Sequence, residues 1–353
     1  MRCYGVAVIG CGIGRQHIEA WQKLPGKFAV RVVCDIKSDV ARATADKFGI
    51  ADAETDYASV LRRRDVDIVD LCTPSATHVE LVEAALAAGK HVVCEKPLAG
   101  SLAEIDRLER AAAKAKGRLM PIYQYRYGNG VRKLRHLQEK GLTGKLYLST
   151  IETIWRRTPA YYDNPWRGRW KTELGGCLTT HAIHAHDMLC WVAGPIRTVT
   201  AHMATRVNPI EVEDCAAAAL IMADGSLATL SVTLGAAAEF SRLRFCFEHL
   251  TAESSTAPYT PGAEPWSFTP AVPERVGEID AAFADFQPKE ERFIGQFDDF
   301  HTALETGGPL PITVADSRRS VELLTALYHA AMAKQIVELP LKPDHVKYGG
   351  WGP

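Results

Sequence analysis

The sequence predicts an α/β protein in two parts, a doubly wound parallel sheet followed by an α+β domain with a large open, mainly antiparallel sheet. Three observations carry this prediction. Short apolar runs alternate with helical stretches from residue 4 to about residue 123, strand-like runs follow one another with little helix after residue 124, and a glycine turn joins the first strand to the first helix. With 353 residues, 47% of them hydrophobic, the chain can bury more than one core. The change of texture divides it into residues 1–123 and 124–353, with the C-terminal helices free to pack back on the first part.

In the first part, residues 4–9, 29–34, 68–72, 91–94 and 119–123 read as strands, because each is short, apolar and bounded by turn formers. Residues 16–23, 40–48, 59–63, 78–88 and 102–116 carry helical spacing between them. Apolar strands separated by helices form a parallel sheet covered on both faces. In the second part, residues 146–155, 197–207, 215–222, 227–234 and 243–247 read as strands. Asp224-Gly225 makes a hairpin turn, since glycine supplies the positive φ of a tight connection. Residues 253–275, rich in Pro, Ser and Thr, read as a long loop or flap, and residues 289–306 and 315–334 as terminal helices, the second capped by Asp316 or a neighbour.

Composition excludes several classes of function. Forty-one basic residues against forty-two acidic ones give a net charge of -1, which leaves no electrostatic footprint for nucleic acid. No apolar run approaches the ~18 to 20 residues that span a bilayer, so no membrane is expected. The opening residues enter an apolar strand directly, and nine cysteines without a C-x-x-C pair read as reduced thiols, so the expected location is the cytoplasm.

Residues 6–17 contain strand, glycine turn and helix start, with Gly10, Gly12, Ile13 and Gly14 in the turn. Such a turn brings backbone N–H groups and a helix N-terminus toward a pyrophosphate, as in a Rossmann fold, although it also forms without a ligand. The spacing is irregular: the third glycine comes one residue early, and Arg15 holds its usual place. Asp35, at the end of the second strand, is placed to bond the adenosine ribose hydroxyls and to repel a 2'-phosphate. NAD is therefore favoured over NADP, with Lys37 and Ser38 just beyond as the competing signal, and an aspartate there also serves as a plain turn former or helix cap.

Two further stretches are specific. Residues 73–78, Thr-Pro-Ser-Ala-Thr-His, and residues 87–99, with Ala-Gly-Lys-His and Glu95-Lys96-Pro97, closely resemble the glucose-fructose oxidoreductase and inositol dehydrogenase family, Gfo/Idh/MocA. The resemblance implies a fold of this kind over essentially the whole chain and a cofactor site that includes Thr73, Pro74, His78, Glu95 and Lys96, while the open sheet of the second part, with a large apolar face that its own helices need not cover, leads to an expected homo-oligomer (dimer or tetramer). It also implies a cis bond before Pro97 that sets Lys96 beside the nicotinamide. Independently of the family, a lysine at the carboxyl edge of a parallel strand points into the crevice where ligands bind, and can hold the charge of a reacting oxygen.

The second-domain marker is Gly175-Gly176 followed by Thr180, His181, His184, His186 and Asp187. Read as one helix at ~100° per residue, it places Thr180, His184 and Asp187 along one face and His186 nearly opposite His184. The resemblance assigns the catalytic histidine to His184, with Thr180 where the family often has aspartate. Three histidines in six residues also raise a metal site, but the spacing lacks H-E-x-x-H and an accompanying cluster, so none is expected.

Tyr125 and Arg126 match the family's domain-crossing segment. Trp166, Arg167 and Lys171 lie in an aromatic and basic run that suits a sugar ring and its hydroxyls, and equally suits core anchors with a solvated face. With His181 and Asp187 these are the expected substrate contacts. The expected function is NAD-dependent oxidation, or the reverse reduction, of a secondary hydroxyl on a sugar, glycoside or cyclitol in a cleft between the two parts. The alternatives are a silent dinucleotide-binding sensor or partner subunit and an imine- or diol-type reductase.

Overall fold

The computed structural model describes residues 2–353, and the chain divides into two compact units, Met1–Ile122 with Phe293–Arg318 and Tyr123–Arg292 with Arg319–Pro353. The first unit runs β1 (Tyr4–Ile9), α1 (Gly14–Gln22), β2 (Phe28–Cys34), α2 (Ser38–Phe48), β3 (Asp52–Glu54), α3 (Tyr57–Arg62), β4 (Ile68–Leu71), α4 (His78–Ala87), β5 (His91–Cys94), α5 (Leu102–Lys114) and β6 (Leu119–Pro121). All its strand pairs are parallel, in the order β3-β2-β1-β4-β5-β6. The order reverses between β1 and β4, the place where sheets of this kind bind ligands beyond their strand ends. Every residue of β1 and β4 is buried, as expected of strands covered on both faces.

In the first unit one strand escaped the sequence pattern. β3 is the three-residue edge Asp52-Ala53-Glu54, too short and polar to read as a strand, and it forms because β2 offers it a ladder.

The second unit runs α6 (Asn129–Glu139), β7 (Leu146–Arg156), α7 (Trp170–Glu173), α8 (Cys177–Thr180), α9 (Ile183–Ala193), β8 (Ile196–Ala204), β9 (Cys215–Met222), β10 (Leu227–Thr233), β11 (Gly235–Phe247), β12 (Leu250–Ser254), β13 (Trp266–Pro270) and α10 (Val276–Ala284). α11 (Arg292–Thr306) then belongs largely to the first unit, where Phe297 stacks on Trp21 at 3.6 Å and Gln296 donates to the Pro121 carbonyl at 2.7 Å. α12 (Val314–Ala333) and β14 (Val337–Glu338) close the chain. At the start of α12, Asp316 accepts from both the Thr313 N–H and hydroxyl, so the expected cap is a pair of residues.

The second sheet is ordered β13-β12-β11-β7-β10-β9-β8-β14, with β7 and β10 parallel and the other pairs antiparallel. Its side chains alternate between faces. Ser149, Ile151, Thr153 and Trp155 of β7 are buried against helices such as α9, while Leu227, Thr229, Ala217 and Ala219 lie exposed on the other face.

The expected flap over residues 253–275 is a correction, because it contains β13, paired with β12 from Leu250↔Pro270 to Ser254↔Trp266. The Pro, Ser and Thr content masks an aromatic ladder: Trp266 stacks on Phe245 and on Phe268, with ring centres 6.4 and 6.2 Å apart. Among the described residues, no helix is long and apolar enough to cross a membrane.

Candidate active site

The three glycines of the first turn do different physical work. Gly10 has φ +93°, and a Cβ there would stand 2.6 Å from the Cys72 carbonyl oxygen. At Gly14 it would meet Val8 Cγ1 at 2.9 Å, so Gly14 allows α1 to lie close on the sheet, one position earlier than the usual spacing. Gly12 has neither reason: its φ is ordinary and its Cβ position is open, with no atom within 4 Å. That open space, at the start of a helix whose N-cap Ile13 makes no side-chain cap and whose first turn holds no acid, suits the close approach of a pyrophosphate.

Asp35 sits where it was expected. Its carboxylate accepts from Cys11 N–H at 2.9 Å and Lys37 N–H at 3.1 Å, tying the glycine turn to the end of β2. The bond to Lys37 N–H is a turn contact and not a helix cap, since Lys37 itself is the N-cap of α2 and has no side-chain cap, and it leaves a partly exposed carboxylate beside the glycine turn. The neighbouring Ile36 is 91% exposed, an apolar side chain that the sequence reading passed over.

At the ends of β4 and β5, His78 bridges the carbonyls of Thr73, at 3.0 Å, and Pro97, at 2.8 Å, joining the two segments that flank the strand ends. The Thr73 and Thr77 hydroxyls are 2.8 Å apart, and Pro74 opens a short turn over Ser75–Thr77. The Lys96–Pro97 bond is cis, as the resemblance implied. Lys96 is half-buried and Glu95 buried, with the Glu95 carboxylate accepting the Lys96 backbone N–H at 3.0 Å.

Beneath them lies a cluster the sequence reading missed. His17 of α1 is wholly buried, its Nδ1 2.9 Å from Asp70 and its Nε2 3.1 Å from Glu95, while Trp21 donates to Asp70 at 2.7 Å. Burial, the largest single effect, pushes the His17 pKa down, yet the Asp70 charge and hydrogen bond and the neighbouring Cys72 sulfur together outweigh it, and the net shift is well upward. His17, Asp70 and Cys72 also offer ligand atoms within 4.8 Å of one another, but His17 and Asp70 already spend theirs on each other, and burial raises the Cys72 pKa so that it stays a thiol.

In the second unit the expected single helix over residues 175–191 is corrected. α8 ends at Thr180, and Ala182 N–H reaches back five residues to the Cys177 carbonyl at 2.9 Å, a π-type turn, before α9 begins at Ile183. The Thr180 hydroxyl donates to the Gly176 carbonyl at 2.7 Å and lies 2.8 Å from His181 Nδ1. That back-bonding competes with the helix ladder and accompanies the break.

His184 is buried in the first turn of α9, its ring stacked on Tyr125 at 4.6 Å and edge-on to Tyr123 at 6.3 Å. Asp187 takes both arms of Arg126, at 2.7 and 2.5 Å, in a buried ion pair. His186 is buried with no hydrogen-bond partner at either ring nitrogen, and burial lowers its pKa to about 3, so it is a neutral core residue.

The turn before α8 rests on Glu213, whose carboxylate accepts from Gly176 and Leu178 N–H, each at 3.0 Å, and from the Tyr328 hydroxyl at 2.8 Å. Burial raises the Glu213 pKa to about 7. A Cβ on Gly176 would meet the Glu213 carbonyl at 1.8 Å, which explains the glycine.

Around His181 stand Trp155 and Tyr161, each with ring centres 5.7 Å away. Arg157 lies over the rings of Trp155, Tyr161 and Tyr259 and pairs with Glu239 at 3.1 Å. Arg167 lies over Tyr161 and Trp166 and pairs with Glu173 at 3.2 Å, whereas Lys171 is exposed. Arg157, Tyr259 and Glu239 carried no motif, because they come from separate strands and loops.

The family profile described as "Oxidoreductase family, NAD-binding Rossmann fold" matches residues 4–123, and that described as "GFO/IDH/MocA C-terminal domain" matches residues 131–253. The chain belongs to the Gfo/Idh/MocA family of oxidoreductases. It is 32% identical to a myo-inositol 2-dehydrogenase of Thermotoga maritima over 54% of each chain. It is 28% identical to a levoglucosan dehydrogenase of Pseudarthrobacter phenanthrenivorans over 58% of this chain and 55% of that one. The chain thus spans about half the length of these curated relatives.

Among solved structures, the WlbA dehydrogenase of Bordetella pertussis in complex with NADH and UDP-GlcNAcA superposes with a TM-score of 0.84 at 26% identity, covering 97% of this chain and 100% of that one. The first unit of this Gfo/Idh/MocA member is therefore an NAD-binding Rossmann domain, and the glycine turn and Asp35 fit that cofactor.

The two glycines separate folding from cofactor binding. Gly10→Ala should destabilise the protein by about 1–3 kcal/mol or more in urea unfolding, through strained φ and a backbone clash. Gly12→Ala should change stability by less than about 0.5 kcal/mol yet weaken NADH binding, read by calorimetry. Undiminished NADH affinity in Gly12→Ala would remove the pyrophosphate from this turn.

Proposed function

We propose that the protein oxidises a secondary hydroxyl on a sugar, glycoside or cyclitol, or reduces the corresponding ketone. The observation that carries this reading is Lys96, a half-buried lysine at the carboxyl end of β5, in the same sheet whose glycine turn receives the cofactor. Bound NAD supplies the hydride acceptor. His184 takes the hydroxyl proton as the carbon loses its hydride, and Lys96 holds the oxygen as its charge develops.

In this reading Tyr125 stacks beneath His184 and limits its rotation, and the Arg126–Asp187 pair braces the segment that bears Tyr125 against α9. Thr180 stands where a carboxylate is common in the family, and its hydroxyl sets the His181 ring that faces Trp155 and Tyr161. Trp166, Arg167, Lys171 and His181 contact the ring and hydroxyls of the substrate. The dehydrogenase relatives named for levoglucosan and myo-inositol support this substrate class.

We also propose a homo-oligomer built on the exposed face of the second sheet, where Ala217, Ala219, Leu227 and Thr229 offer a flat, small-residue surface. Light scattering at micromolar concentration should give a dimer or tetramer; a monomer contradicts this. The nine free cysteines suit a reducing compartment, and we propose a cytoplasmic location. A localised fusion found outside the cytoplasm would contradict it.

The catalytic roles predict that one of a panel of neutral sugars, glycosides and cyclitols gives NADH absorbance with NAD. With that substrate, His184→Ala should lower turnover about 10²- to 10⁴-fold and Lys96→Ala about 10²- to 10³-fold, with NADH binding and cooperative melting retained. A fully active His184→Ala enzyme would refute the assignment of the base.

A further inference from the structure

We propose that His17 is a positioning residue for Lys96, its ring clamped between Asp70 and Glu95 so that the Glu95 carboxylate is fixed to receive the Lys96 backbone N–H. The line is continuous: Asp70 to His17 Nδ1 at 2.9 Å, His17 Nε2 to Glu95 Oε1 at 3.1 Å, and Glu95 Oε2 to Lys96 N at 3.0 Å. It joins α1, β4 and the end of β5, and none of its three side chains reaches solvent appreciably. This inference rests on the reading of Lys96 as the oxygen-holding group.

The chemistry of the contacts fixes the ring's state. A carboxylate only accepts hydrogen bonds, so a ring with a carboxylate at each nitrogen satisfies both only when both nitrogens carry protons. Burial, the largest single effect, disfavours the charged ring, and the charge and hydrogen bond of Asp70 are the main contributions that act against it. Around the ring, Trp21 of α1 donates to Asp70, the Cys72 sulfur just past β4 lies 3.4 Å from Nδ1, and α11 adds the rings of Phe293 and Phe297 at 4.3 and 5.5 Å.

A buried ion pair is weak evidence of stabilisation in itself. This one differs from a plain core pair because one of its carboxylates spends its second oxygen on the backbone of the residue that bears the reacting ammonium. If Glu95 were released, the Lys96 backbone would lose its anchor, and a displacement of about 1 Å at a reacting group costs on the order of 10²-fold in rate.

The test uses the full chain. Nitrogen-15 spectra of the imidazole should show both His17 nitrogens protonated through pH 6 to 8, since a group whose folded pKa is raised keeps its proton as pH climbs past the ordinary histidine value. A neutral His17 at pH 7 overturns the clamp. His17→Gln and Glu95→Gln should each shift the Lys96 backbone amide resonance and lower kcat about 10²-fold, and His17→Gln should leave the KM for NAD nearly unchanged. In a Lys96→Met background the same changes should lower kcat no further. An additive loss there would make His17 merely structural. If His17→Gln fails to fold, the spectra and Glu95→Gln decide. If Lys96→Met keeps full activity, the oxygen-holding reading of Lys96 falls, while the amide shift still reports on the clamp.

Discussion

The ligand-facing parts of the first unit hang on a buried charge arrangement in which one imidazole lies between two carboxylates. His17 comes from the helix that follows the glycine turn, Asp70 from β4 and Glu95 from the end of β5, so the ring locks helix and strand ends to one another. Removing three ionisable groups from water is costly, and the arrangement persists because each retains a partner: Trp21 for Asp70, the Lys96 N–H for Glu95, and both carboxylates for His17. Phe293 and Phe297 of α11 exclude water from this locus. The glycine-turn helix and the segment that bears Lys96 are thus held by electrostatics in a dry interior, where such contacts are strong.

The second unit solves an analogous problem differently. Its key turn carries no ion pair; Glu213, a Tyr328 hydroxyl and two backbone N–H groups hold the Gly176–Leu178 corner, and the helix beyond opens through a π-type turn before His184. Departures from regular helix of this kind recur at functional sites. The charges that do occur near His184 and His181 are largely compensated, Arg126 by Asp187, Arg157 by Glu239 and Arg167 by Glu173. The surroundings of these two histidines thus present hydrogen-bonding groups and aromatic faces rather than net charge, which suits the neutral polyhydroxylated ring proposed as substrate.

Much of this was legible in the sequence, where local chemistry and tertiary structure agree. β1, β5 and β9 have the boundaries their composition implies, and the glycine turn, Asp35 and Lys96 stand where their motifs placed them. β3 was hidden because a polar edge strand exists only through its neighbour, and β13 because its aromatic ladder lies in a Pro- and Ser-rich stretch. The break after Thr180 has no glycine or proline to announce it; it accompanies a side-chain hydroxyl returning to a backbone carbonyl. His17, Asp70 and Glu213 belong to no local pattern, since their meaning lies in partners far along the chain. His184 entered through family resemblance, and its contact with Tyr125 adds a physical reason for its fixed ring.

The central claim is a hydride moved between a ring carbon and nicotinamide. It is tested most directly by incubating the protein and NAD with a cyclitol or glycoside deuterated at its ring carbons and examining the reduced cofactor by proton NMR. Deuterium is expected at C4 of the nicotinamide, on one face, in step with formation of the ketone. Ketone formation with no deuterium in the cofactor would contradict it.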